Sequence, residues 1–252
     1  FLYGLNYFFA LGLDKRQIAK MGQKAEHTFA GVNCGIMDQF ASVFGKENSV
    51  IFLDCDTLDY QYAPADFGDY TLLLLNTNVK HNLQTSEYNN RRKECEAGIS
   101  IIKNKYPEVQ NFREATIEMV ENLKEEMGDV VYRRSKFVVG EISRIQELVK
   151  SLEKNDFENV GKLMTATHYG LSKDYEVSCE ELDFLVDNVL LEQDVLGARV
   201  MGGGFGGCTI NLLKKTVVEN VIEKLSKAYL DKFGIALTPY QVSVSEGTHF
   251  YA

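Results

Sequence analysis

What the 252 residues omit narrows the possibilities first. No C-x-x-C occurs, and the five cysteines (Cys34, Cys55, Cys95, Cys179, Cys208) are odd in number and scattered. That pattern fits reduced thiols in a cytoplasmic protein better than a disulfide framework or a zinc site. H-E-x-x-H is missing and the four histidines stand far apart, so no metal site built from protein ligands alone is expected. No G-x-x-x-x-G-K-[ST] is present, which removes a Walker-type phosphate loop. Basic runs never exceed Arg91-Arg92-Lys93, and the net charge is −9; a nucleic-acid or anionic-membrane surface is therefore not expected. Phe1 to Leu13 is apolar enough to suggest a signal peptide but has no basic n-region and no small-residue cleavage site, so a helix is expected there instead. Internal repeats and low-complexity tracts are also absent.

Against these absences stands Met201-Gly202-Gly203-Gly204-Phe205-Gly206-Gly207-Cys208-Thr209, with five of the chain's twenty glycines in six positions. Glycine reaches backbone angles closed to other residues and lets an anion or another backbone approach closely. Gly202, Gly204 and Gly207 satisfy the letters of the dinucleotide fingerprint, which requires a helix directly afterwards. Cys208 to Leu213 instead reads as a strand, so that reading fails. A strand from Gly197 to Met201, a glycine turn and a second strand remain. A primed hairpin turn needs about two glycines, and the excess leaves two alternatives open, a phosphate-facing loop or a structural bend.

The chain's length and its 45% hydrophobic content suit one large or two small domains. Leu2, Leu5, Phe9 and Leu13 fall on one helical face, and the chain opens without Met in what reads as a buried helix; the expectation is a fragment whose upstream part has been removed. Asp14 can cap a second helix from Lys15 to Phe29, ended by Gly31. Strands are expected at 48–54 and 60–64, then a boundary at 64–69, dividing the chain into 1–66 and 67–252. The leucine run within Tyr70 to Asn76 reads as a buried strand, followed by a polar loop to Gln84. A helix capped by Thr85 or Ser86 then runs to Lys105, stopped by Pro107. Helices follow at 113–125, 129–155, 157–170 and 178–191. Val138, Ile142, Ile145, Leu148, Val149 and Leu152 form a core stripe, and Leu182, Leu185, Val186 and Val189 another. After the glycine hairpin come a helix at 216–233 and a strand at 240–245. This order is a ferredoxin-like split βαβ with inserted helices, an α+β class.

Asp38 lies in Cys34-Gly35-Ile36-Met37-Asp38-Gln39-Phe40, between apolar neighbours. In a core-forming run an unpaired carboxylate costs several kcal/mol. Two readings stay open: a first-turn helix acid favoured by the dipole, or a catalytic carboxylate facing a substrate hydroxyl. Tyr88 taken alone is an ordinary amphipathic ring, and Arg91, Arg92 and Lys93 read as a solvated helix face without a catalytic role.

Taken together, Ala25-Glu26-His27, the 34–40 string, Ser86-Glu87-Tyr88 with Arg91-Arg92, Val177 to Asp183 and Gly202 to Thr209 resemble the galactokinase family of the galacto-, homoserine-, mevalonate- and phosphomevalonate-kinase superfamily. The similarity runs from about Gln23 to Ser245. The resemblance implies transfer of the γ-phosphoryl group of ATP, with Mg2+ as its companion, to the anomeric hydroxyl of galactose. Asp38 would be the catalytic aspartate, Gly35 and Tyr88 sugar contacts, and Gly202, Gly203, Gly204, Gly206 and Gly207 the loop near the nucleotide phosphates. It also implies that residues 1–66 end a ribosomal-S5-like N-terminal domain, and that an upstream segment carries two further motifs, so that this polypeptide alone would be inactive. Met201 departs from the threonine of many relatives, which bears on packing under the loop and not on the chemistry. A galactokinase-like sugar sensor and a kinase for N-acetylgalactosamine are the competing readings.

Overall fold

The computed structural model describes residues 1–79 and 84–250; the side chains of residues 84–86 and 88 lie outside that description. It divides into two compact units, Phe1–Asp66 together with the chain from Ser243 onward, and Phe67–Val242.

In the first unit, helices α1 (Leu2–Phe8), α2 (Lys15–Ala25) and α3 (Met37–Phe44) precede strands β1 (Ser49–Leu53) and β2 (Tyr60–Pro64), which pair antiparallel. Local chemistry sets the start of α2. Asp14 Oδ1 accepts from the Gln17 amide and Gln17 Oε1 from the Asp14 amide, both at 2.8 Å, a reciprocal capping box that satisfies two helix-end donors. A π-turn, Glu26–Ala30, prolongs the helix to Gly31, whose φ of +68° reverses the chain. Ile18, Ala19, Ile36, Phe40, Val43, Phe44 and Leu58 make the core, with the Phe40 and Phe44 rings stacked at 4.1 Å. The first helix is not the buried element expected from its apolar face. None of its residues is buried, and Phe8 and Phe9 are 77% and 70% exposed. Of residues 1–13 only Leu2, Tyr3 and Leu13 pack on the core, because a seven-residue helix offers one short face to α2 and turns Tyr7 and Phe8 outward. The final segment joins this unit through Gly247 N–H to Gly45 O and Thr248 N–H to Ser42 O, each 2.8 Å. Side chains at 45 or 247 would press on the facing backbone, so two glycines permit the approach.

The second unit is built on a four-stranded antiparallel sheet. Strand β3 (Tyr70–Asn76) leads into α4 (Gln84–Lys105), α5 (Ile117–Asn122), α6 (Lys124–Glu153), α7 (Phe157–Tyr169) and α8 (Glu180–Val189). Strands β4 (Val195–Val200) and β5 (Cys208–Lys214), helix α9 (Val218–Phe233) and strand β6 (Thr238–Val242) complete it. The sheet order β4-β5-β3-β6 is the split βαβ pattern expected from the order of elements. Helices α8 and α9 bury Leu185, Val186, Val189, Val221, Leu225 and Tyr229 with Leu73, Leu75 and Leu213 of the sheet. Against β4, α7 comes so close that a Cβ on Gly161 or Gly197 would collide with the other element's backbone. Helices α4 to α6 hold a separate core around Ile102, Val120, Leu123 and Tyr132.

Several boundaries move for identifiable reasons. Thr85 and Ser86, expected as caps, lie within α4. The helix expected at 113–125 shrinks to α5, started by Thr116, whose hydroxyl accepts from the Met119 amide. Gly128, at φ +67°, interrupts α6 near its start. The expected stripe on α6 holds only in part: Leu152 is buried and Ile145 is 41% exposed, while Tyr132, Arg134, Ser135, Phe137 and Val139 are buried as well, on a helix packed by α4, α5 and α7. Strand β6 starts two residues early, where Thr238 pairs with Asn76, and ends at Val242 opposite Leu72. Pro239 is tolerated there because β6 is an edge strand. All five cysteines are free. Among the described residues no helix is long and apolar enough to cross a membrane.

Candidate active site

In the first unit, the loop before α3 is held from α2. The Cys34 carbonyl accepts from Gln23 Nε2 at 3.1 Å and from His27 Nε2 at 2.8 Å, so the imidazole proton sits on Nε2. Gly35 follows, exposed and with open space where a side chain would be. Ile36 and Phe40 then anchor α3 in the core at 4% and 0% exposure, and the helical period turns Asp38 outward between them. The desolvation cost anticipated for a carboxylate in a core run therefore does not arise. Asp38 is exposed, makes no hydrogen bond among the described residues, and occupies the first turn of α3, where the helix dipole favours a negative charge.

The glycine loop belongs to the second unit and joins β4 to β5. Register pairs Asn76 with Cys208, which brings the end of β3 beside it. Both the Thr77 amide and the Thr77 hydroxyl donate to the Gly207 carbonyl at 2.9 Å. Gly202, Gly204, Gly206 and Gly207 all have positive φ, as does Phe205 at +55°. The two alternatives left open by the sequence each describe part of the loop. Gly204 is structural: a Cβ there would land on the Val177 carbonyl, which also accepts from the Phe205 amide at 2.5 Å. Gly202, Gly203 and Gly207 are exposed, and their amides donate to no acceptor among the described residues. Exposed, unpaired amides in such a turn can bind an anion.

Tyr88 lies on α4, and its side chain is outside the described set. Arg91 is not part of a solvated trio. Its side chain is 11% exposed against 55% for Arg92, and it donates from Nε to Tyr175 O at 2.7 Å and from Nη2 to Glu176 O at 3.1 Å. Arg134, 2% exposed, donates to Glu94 at 2.9 Å, to the Asp174 carbonyl and to Glu176 Oε2 at 2.6 Å. Hydrogen bonds from Arg134 and Arg133 hold the Glu176 carboxyl down at about 2. Sequence reasoning missed this network; its one visible sign was an arginine at 134, one helical turn before the apolar Val138. Nearby, burial pushes the Asp183 carboxyl up, but polar neighbours, His168 and Ser172 among them, pull it further down, to about 2. Ser172 Oγ donates to Asp183 Oδ2 at 2.7 Å, and His168 Nε2 lies 3.3 Å from Oδ1. Burial raises the Cys179 thiol to about 12, which keeps it in its unreactive form.

Among the described residues no three His, Cys, Asp or Glu side chains gather to hold a metal ion.

Residues 1–46 match the GHMP kinases N terminal domain and residues 148–231 the GHMP kinases C terminal domain, which places the protein among the small-molecule kinases of that class. Over 245 residues the chain is 42% identical to a galactokinase of Thermotoga neapolitana, covering 97% of this chain and 67% of that one. A Clostridium beijerinckii galactokinase is 43% identical over 97% of this chain and 63% of its own length. The crystal structure of Lactococcus lactis galactokinase complexed with galactose superposes with a TM-score of 0.91 at 32% identity, over 96% of this chain and 63% of that one. The chain belongs to the galactokinase family and spans about two thirds of the length of these relatives.

Proposed function

We propose that this chain is the greater part of a galactokinase, a transferase that moves the γ-phosphoryl group of ATP to the anomeric hydroxyl of galactose and releases ADP. The similarity to galactokinases across nearly the whole chain, with a TM-score of 0.91 to one bound to galactose, carries the reading. Phosphoryl transfer requires mainly positioning and charge stabilisation from the protein. Asp38, exposed, unpaired among the described residues and set on a short helix whose core contacts fix it, is suited to align the sugar hydroxyl and take its proton as the oxygen attacks phosphorus. The bond from the γ-phosphorus to the bridging oxygen breaks as the new one forms. Gly35 and Tyr88 contact the sugar in this reading. Gly202, Gly203, Gly204, Gly206 and Gly207 form the loop near the nucleotide phosphates, with Mg2+ arriving on ATP. The remaining third of the family's length, which the resemblance places upstream, supplies the other phosphate loop, so the 252 residues alone release no ADP. The site of action is the cytoplasm.

The test joins this chain to that upstream segment and measures galactose-dependent ADP release. Asp38→Ala is expected to lower turnover by about a hundred- to ten-thousandfold with an unchanged melting temperature, because the side chain is exposed. Undiminished activity in that variant would refute the catalytic assignment. A panel of sugars including N-acetylgalactosamine at fixed ATP distinguishes the related kinase, and binding without turnover would identify a sensor.

A further inference from the structure

The segment between α7 and α8 is irregular, yet its carbonyls from Lys173 to Val177 are each claimed. Past the π-turn Gly170–Asp174, Glu176 takes a left-handed φ of +53°, which a residue with a side chain keeps only where its surroundings over-determine it. Three arginines supply that constraint. The carbonyls of Lys173, Asp174, Tyr175 and Glu176 accept in succession from Arg133 Nη1 (3.0 Å), Arg134 Nη1, Arg91 Nε (2.7 Å) and Arg91 Nη2 (3.1 Å). The Glu176 carboxylate closes the arrangement, taking Arg133 Nη1 on one oxygen and Arg134 Nη2 on the other, each at 2.6 Å. Glu94 in turn links Arg91 to Arg134. The next carbonyl, that of Val177, holds the Phe205 amide and blocks any side chain at Gly204.

We propose that Arg91, Arg133 and Arg134 are positioning residues that set the glycine loop through the 173–177 segment, so that loosening them changes how the loop meets nucleotide phosphates while leaving the sugar contacts alone. The fork of a guanidinium is what the arrangement uses: one Arg91 spans two adjacent carbonyls, which a lysine ammonium cannot reproduce at the same geometry. The nucleotide part rests on the function proposed above; the mechanical part does not.

Arg91→Lys and Arg134→Lys, with Arg92→Lys as the exposed control, separate the two in the chain joined to its upstream segment. Hydrogen exchange at the Phe205 amide is expected to rise by about tenfold or more in the first two variants, with the amides of β5 opposite β3 unchanged. The KM for ATP should rise about three- to tenfold, with that for galactose held within about twofold. Unchanged Phe205 exchange in a folded Arg91→Lys would overturn the proposal. Global unfolding of Arg91→Lys would overturn it too, since the arginines would then support the fold and not the loop specifically. If Arg134→Lys does not fold, Arg91→Lys decides. Absence of galactose turnover in the unmodified protein would count against the proposed function and leave the exchange result to judge the arginines.

Discussion

Gly204→Ala tests the structural half of the glycine loop, and its cost can be worked from two separate contributions. At φ +81° an L-residue is strained by about 1–2 kcal/mol. The new methyl would also meet the Val177 carbonyl, and since that carbonyl is fixed by the segment behind it, the loop must lift. Lifting breaks the bond from the Phe205 amide to Val177 O, 2.5 Å long, for a further ~1 kcal/mol. The sum is roughly 2–3 kcal/mol, a large share of the ~5–15 kcal/mol of an ordinary domain. Gly202→Ala is the matched comparison. Its φ is +74° but no heavy atom lies within 4 Å of the added methyl, so only the ~1–2 kcal/mol backbone strain applies. Urea unfolding of the 252-residue chain, followed by far-UV circular dichroism because the chain has no tryptophan, gives both values from the shift in midpoint. Equal destabilisation in the two variants would show that the approach to Val177 is not what Gly204 is for, and that left-handed backbone alone explains the glycines.

Acid stability should depend on Asp183. Its folded carboxyl, at about 2, lies below the ordinary 3.8, so its contribution is present above about pH 4 and lost as the pH falls through 2. The stability difference between wild type and Asp183→Asn is expected to shrink by roughly 2 kcal/mol over that window; a constant difference from pH 5 to pH 2 would remove the charge from the explanation. Leu73→Ala empties a position with no exposure, packed under α8 and α9, and should cost about 2–5 kcal/mol in the same unfolding assay. A loss below about 1 kcal/mol would mean that the sheet and helices close over the gap.

The helix starting at Lys15 was legible because its signal is local: Asp14 and Gln17 satisfy each other's amides within a single turn. The four buried residues of α8 were legible because a regular helix against a sheet has one inner face. Strands β3, β4 and β5 could be read from apolar runs and the glycines between them, and the order of elements implied the sheet. The stripe on α6 was read only in part, with Leu152 buried and Ile145 exposed, since periodicity identifies an apolar face but not how many neighbours cover it.

Sequence by itself determined the family, through strings such as Cys34 to Phe40 whose residues are consecutive, and it marked Asp38 and the glycine cluster as the candidates for chemistry. Only the tertiary structure decided what those residues experience. Asp38 escapes the cost of burial because Ile36 and Phe40, on either side of it, take the inward positions. Gly204 differs from Gly202 because Val177, far away in the chain, passes beneath one and not the other. Arg91 and Arg92 are adjacent, identical and indistinguishable in sequence, yet one is committed to carbonyls more than eighty residues away while the other faces water. Long-range hydrogen bonds of that kind leave no local pattern, because the backbone carbonyls they join are present at every residue.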